Sequence, residues 1–312
     1  MHLASLERAA NEIAAHLSYA LDAEAVTWPK PGLVTATSTG CHDDMDVFTF
    51  LRSASHLQQT FHDAALVAAY KKSPTTLMSA LRVIGLHGEH QMNAATGGIN
   101  THRGAIFFGV LLAAATMRTL YLSDTIQEIS PNSICDMARE IAEHTLLTDL
   151  CLTEKSSPKD LTTGLRVNRQ FGITGARGEV LTGFPSVLAY GLPALRAARQ
   201  KGANRRSAQA HALVALLAVT QDSTVLNRNN DPLRLTLVHR LGKEILSAGS
   251  VFTATGRRLI EKADTLFSER SISPGGSADL LAICIYLDEL KQKLICIPDQ
   301  RSGDRHGISH RF

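Results

Sequence analysis

Apolar residues recur at three- and four-residue steps along almost the whole chain, and that spacing restricts it to packed helices. Leu3, Leu6, Ala10, Ile13, Leu17 and Leu21 share one helix face. The same period predicts helices near 47–70, 76–93, 105–122, 133–147, 178–200, 206–220, 233–247, 253–267 and 278–294. Asp231 followed by Pro232 reads as an N-cap with proline at the first helical position. Alternating β-branched runs are nearly absent, and the stretch RVNRQFGITG is too polar and glycine-rich for a strand. The expected architecture is all-α: a single-domain multi-helix bundle over residues 1–297 with functional inter-helix loops, then a polar tail, 298–312, expected to be disordered.

Composition excludes several function classes. The formal net charge is only +3, too small an imbalance to argue for nucleic acid as a partner. The N-terminal segment carries Glu7, Arg8, Asn11 and Glu12 among its apolar residues, so it lacks a signal peptide's unbroken core. The apolar stretch Ala105 to Ala115 is too short to span a bilayer. A cytoplasmic protein without a membrane partner is the expectation. The five cysteines, Cys41, Cys135, Cys151, Cys284 and Cys296, form no C-x-x-C pair and read as ordinary thiols of a reducing compartment.

The unusual sequence lies between the helices, where binding groups usually sit. Lys30 stands in Pro29-Lys30-Pro31-Gly32, a stiffened loop that suits a phosphate. Asp43, Asp44 and Asp46 crowd three carboxylates into four positions. They either cap the following helix or hold Mg²⁺ or substrate. Gly97, Gly98, Asn100, His102 and Arg103 form a glycine-rich turn running into a helix start, a favourable anion site. Its alternative is a tight helix–helix turn with a polar cap. Arg177 and Glu179 lie in a third glycine loop, Gly172 to Glu179, followed by Gly183-Phe184-Pro185; they read as a phosphate ligand and a carboxylate, or as a surface ion pair. Asp222 and Arg228 bracket a fourth, polar loop. Gly275, Gly276 and Ser277 open the last helix, exposing backbone N–H groups, with Asp279 behind them in a structural or functional role. No Walker loop, G-x-G-x-x-G or nucleophile elbow is present. The residues alone support a polyphosphate held by scattered loops and Mg²⁺ on a helical frame.

The order PKPG, G-x-H-x-DMD, G-x-x-x-E-x-x-M, NTH-R-G, TGARGE with GFP, D-S-T…R and SPGGSADLL, from Pro29 to Leu281, resembles the triphosphoribosyl-dephospho-CoA synthase family. The resemblance implies an enzyme, a pentosyltransferase that moves the triphosphoribosyl group of ATP onto the ribose 2′-hydroxyl of 3′-dephospho-CoA and releases adenine. Its product is the prosthetic-group precursor for the acyl carrier subunit of citrate lyase or malonate decarboxylase, passed to a downstream holo-acyl-carrier-protein synthase. Triphosphate stays attached, so the chemistry is glycosyl transfer through an oxocarbenium-like transition state. Adenine is β in ATP and the product ribose is α-linked, so the resemblance implies inversion by a single displacement. The carboxylate candidates are Glu89, Glu179, Asp46 and Asp222, with Glu179 chosen as the base that Arg177 keeps ionised. Lys30, Arg103, Arg177 and Arg228 are the phosphate candidates. Asp43, Asp44, Asp46, Glu89 and Asp222 are the candidates for one Mg²⁺. A homodimer is left open.

The chain departs from the family pattern where D-T-N and R-G-G become Asp222-Ser223-Thr224 and Arg228-Asn229-Asn230. Asp43 replaces a common lysine, and the acidic G-C-H-D-D-M-D favours the malonate decarboxylase pathway. Two rivals remain at this stage: a Mg²⁺-dependent hydrolase of ADP-ribosyl or nucleotide N-glycosidic bonds, and a noncatalytic nucleotide-binding subunit.

Overall fold

The computed structural model describes residues 3–71, 73–123, 129–153, 157, 159, 161–227 and 231–294. Arg228, Cys296 and the tail 298–312 lie outside them. Among the described residues there are thirteen α-helices and no strand, so the chain is an all-α, single-domain protein. They are α1 Leu3–Ala25, α2 Val47–Tyr70, α3 Pro74–Thr96, α4 Arg103–Leu122, α5 Pro131–Thr153, α6 Thr163–Phe171, α7 Gly175–Leu181, α8 Leu192–Gln200, α9 Arg205–Leu217, α10 Ser223–Asn227, α11 Pro232–Ser247, α12 Ala254–Glu269 and α13 Gly275–Leu294.

The most apolar helix, α4, forms the centre. It packs against α1, α2, α3, α5 and α13, and every residue from Ile106 to Met117 except Phe107 is buried. A helix apolar all round must be enclosed on all sides, which is how α4, long and apolar enough to cross a membrane, is placed inside the protein. One polar tie crosses this centre, the 2.7 Å hydrogen bond between the Thr116 and Tyr286 hydroxyls of α4 and α13. A smaller apolar cluster, Val214, Ile245, Ile260 and Ala263, joins α9, α11 and α12.

Helix starts follow local chemistry. Asp46 and Thr49 form a reciprocal capping box at α2, and Asp231 accepts the Leu233 N–H ahead of Pro232 at α11. The stretch from Arg166, not expected to form a strand, belongs to α6, a short amphipathic helix closed by Gly172. One expected helix needs correction. The helix expected over 178–200 is broken: α7 ends in a left-handed pair, Gly183 and Phe184, and a wide π-type stretch, Ser186–Gly191, follows before α8. Phe184 occupies a region that bulky side chains avoid, yet it is fully buried against Phe108. Burial of the ring offsets the backbone cost there.

Candidate active site

Loops far apart in sequence meet at one end of the bundle. Gly32 of the PKPG turn lies so close to Ile272 that a Cβ would sit 2.3 Å from the Ile272 carbonyl oxygen. His42 shares a 3.0 Å hydrogen bond with Ser273, and the Thr224 hydroxyl lies 3.0 Å from the Ser273 carbonyl oxygen. Behind these contacts lies a small cavity of about 80 Å³. Gly104, Glu179, Asp222, Thr224, Gly276 and Asp279 line it, so four of the five motif loops contribute.

Asp222 forms the most ordered part of this wall. It is 1% exposed and accepts the Gly276 and Ser277 N–H groups, the Thr224 N–H and the Thr224 and Ser277 hydroxyls. A carboxylate at a helix N-terminus satisfies donors that otherwise lack partners. Asp279, one turn into α13, accepts the Ala105 N–H at the start of α4. Burial, together with the nearby Asp222 and Glu24 carboxylates, pushes its carboxyl well above the ordinary aspartate range. Glu179 accepts the Ser186 N–H at 2.8 Å and the Ser186 hydroxyl at 2.9 Å, and burial raises its carboxyl too. Two carboxyl groups that burial shifts upward, Asp279 the further, therefore face one cavity.

Residues 10–296 match the family described as ATP:dephospho-CoA triphosphoribosyl transferase. The chain belongs to this family. It is similar to a 2-(5″-triphosphoribosyl)-3′-dephosphocoenzyme-A synthase of Klebsiella pneumoniae, 35% identical over 268 residues, 86% of this chain and 90% of the relative. It is 36% identical over 299 residues to a protein of Pseudomonas fluorescens named as a probable synthase of the same kind, covering 93% and 97% of the two chains. A Vibrio cholerae protein of that name is 35% identical over 282 residues. No solved structure matches.

Membership of the triphosphoribosyl transferase family makes the chain a transferase, and its motif residues then divide into those that face the cavity and those that do not. Lys30 is 3% exposed and donates to the Glu24 carboxylate at 2.5 Å and the Glu24 carbonyl at 2.7 Å. It is one half of a buried ion pair, not the accessible phosphate ligand expected from its loop. His102 is also 3% exposed, and burial together with the nearby Lys30 charge lowers its pKa to about 3. It is therefore neutral near pH 7 and adds no charge to an anion site, contrary to expectation. Its Nδ1 shares a 2.8 Å hydrogen bond with Ser53, while Nε2 is buried without a partner.

The glycine turn before α4 is committed as well. Gly97 and Gly98 both donate to the Asn93 carbonyl, closing α3, and Asn100 accepts the Arg103 N–H, capping α4. Gly275 packs near the Thr224 hydroxyl, and the N–H groups of Gly276 and Ser277 already point at Asp222. The turn at the start of α13, expected to expose its N–H groups, is thus half-buried and occupied by the protein's own carboxylate. Arg103 is exposed and pairs with Glu89 at 2.9 Å. Arg177 does not pair with Glu179; it lies 3.7 Å from Asp149 and faces a separate cavity. Ser186 holds Glu179 in its place.

The candidate Mg²⁺ ligands do not form one cluster. Asp46 caps α2, and the Thr49 N–H and hydroxyl hold its carboxyl below the usual range. Asp43 and Asp44 are exposed, Asp44 lying 3.8 Å from His42. Glu89 pairs with Arg103, and Asp222 is filled by N–H and O–H donors. Among the described residues no group of three or more His, Cys, Asp or Glu could hold a metal ion.

Sequence reasoning did not single out Glu24, Arg82 or Asp149, and it left Asp279 between structure and function. Glu24 and Asp149 sit inside helices without a motif around them. Only the fold brings Glu24 to Lys30, and Arg82 and Arg177 to Asp149.

Proposed function

We propose that the chain catalyses inverting transfer of the triphosphoribosyl group of ATP to the 2′-hydroxyl of 3′-dephospho-CoA, with release of adenine. The observation that carries this reading is the pair of carboxyl groups, Glu179 of α7 and Asp279 of α13, lining one cavity. A displacement at C1′ requires a base beside the entering hydroxyl and a proton for the departing adenine nitrogen. Glu179, ionised, takes the proton of the hydroxyl as the C–O bond forms. Asp279, which burial and two neighbouring carboxylates keep protonated, gives one as the C–N bond breaks. The product keeps its triphosphate, and no covalent ribosyl-enzyme forms.

Mg²⁺ fits this site as a partner of the ATP phosphates and not as a resident of a protein cage. It prefers oxygen ligands and keeps several waters, so one or two carboxylates suffice. Asp43 and Asp44 are the exposed acids nearest in sequence to the His42–Ser273 contact. When bound it neutralises phosphate charge.

The acidic G-C-H-D-D-M-D loop supports a malonate decarboxylase acyl carrier over that of citrate lyase as the final recipient, reached through a holo-acyl-carrier-protein synthase in the cytoplasm. The test incubates purified protein with ATP, with and without 3′-dephospho-CoA, and measures adenine. Release only with the acceptor is the expected result. Release without it identifies a hydrolase, and no release identifies a binding subunit; either outcome defeats the transferase reading.

A further inference from the structure

A second cavity, about 370 Å³ in volume, lies between α3, α4, α5, α6 and α7. That size falls within the range of sites for small organic ligands. Leu81, Val110, Leu111, Leu146 and Leu165 give it apolar walls, while Arg82, Arg177 and Asp149 lie at one side. α7 separates it from the catalytic cavity: Ala176 and Glu179 line the catalytic cavity and Arg177 lines this one.

Two features mark it as a site kept open. The first is Gly85. Glycine within a helix weakens it, and α3 carries two. Gly88 is accounted for by packing, since a Cβ there would sit 2.7 Å from the Thr60 methyl carbon. Gly85 lines the cavity, and a Cβ there would meet nothing within 4 Å. The helix is thus weakened at a position where a side chain would fill the space. The second feature is charge. Arg82 and Arg177 both approach the same Asp149 oxygen, so two guanidinium groups share one carboxylate. Glu89, the other acid lining the cavity, is already paired with Arg103. The buried Nε of Arg177 lies 3.7 Å from the Asp149 oxygen and has no acceptor at normal hydrogen-bond distance. Arginine in this state suits a phosphate oxygen.

We propose that this groove takes the pantetheine arm of the acceptor, with Arg177 and Arg82 on the adjoining diphosphate. The inference rests on the transferase reading. The acceptor is a chain of groups in fixed order: ribose hydroxyl, diphosphate, then a long neutral arm. The protein offers Glu179, then Arg177, then the leucine-lined groove in the same order. Thr162, which makes no capping hydrogen bond at α6, supplies a hydroxyl for an amide of the arm. ATP carries no apolar arm, so the groove distinguishes acceptor from donor.

Gly85→Leu tests this by filling the groove from its open side. The expected result is a rise of at least tenfold in KM for 3′-dephospho-CoA, with KM for ATP unchanged and the melting temperature equal or higher. Pantetheine alone should bind wild type by calorimetry and lose that binding in the variant. If Gly85→Leu fails to fold, Gly85→Ala takes its place, with a smaller shift expected in the same direction. A folded variant with wild-type KM for the acceptor overturns the groove and leaves the transferase reading intact. If wild type releases no adenine with 3′-dephospho-CoA, the transferase reading fails. The pantetheine titration then decides the groove by itself, and absence of heat overturns it.

Discussion

At the scale of single residues, the chain places charge where it is hardest to keep. Lys30 and Glu24 are both buried, and burial alone pushes each toward neutrality while their contact opposes it. Removing one partner strands the other, at a cost of about 3–5 kcal/mol. Lys30→Met should therefore lower stability by that amount, read by urea denaturation, and Glu24→Leu in the same chain should recover most of it. A phosphate-binding lysine would show the opposite pattern, lost ATP affinity with stability kept. Glu179→Gln removes the proposed base while keeping the shape. It should reduce kcat by about 10²–10⁴-fold with substrate binding retained. Burial raises the Glu179 carboxyl, and the base works only when ionised. The wild-type rate should thus rise with pH through a value above that of an ordinary glutamate, and the glutamine variant should lose this acid limb. Motif residues such as Glu179 were legible because glycine loops isolate them in sequence. The Lys30 pairing was not, because Glu24 sits on α1 and resembles any other helix carboxylate.

At the scale of elements, helix starts carry the site. α4 begins at Arg103 and α13 at Gly275, and their first turns touch through Asp279. Gly104 makes the approach feasible: a Cβ there would lie 2.0 Å from the Asp279 carboxylate. Alanine in place of a helical glycine ordinarily adds up to about 1 kcal/mol of stability. Here the forced displacement should outweigh it, and Gly104→Ala should lose about 1–3 kcal/mol together with transferase activity. A higher melting temperature and normal turnover would show that the contact is slack. Helices α2 and α11 were readable almost to the residue, because Asp46 and Asp231 cap them locally. The break between α7 and α8 was signalled locally by Gly183 and Pro185 but overridden by the apolar period of 178–200. What was not readable is how it is held: Glu179 takes the Ser186 N–H, and the Phe184 ring is buried in the core.

At the scale of the whole molecule, the all-α architecture was legible from periodicity, and the meeting of the loops was legible only as an expectation. Sequence separates Gly32 from Ile272 by most of the chain, and contact between them depends on how α1 and α13 pack. Because the candidate acids are scattered, the proposed Mg²⁺ would be held in the complex with ATP and not by the protein alone. Excess EDTA should abolish adenine release while leaving the helical circular dichroism unchanged; full activity in EDTA would remove Mg²⁺ from the reaction. Many enzymes keep their chemistry on segments that open more readily than the core. In this protein Asp222 and Asp279 fasten the first turns of α13 and α4, so the wall of the candidate site and the innermost scaffold are joined by the same hydrogen bonds. Warming should offer no stage at which the enzyme is folded but idle. The curve of heat inactivation should lie on top of the curve of helix loss, and substrates that fill the cavity should move both together.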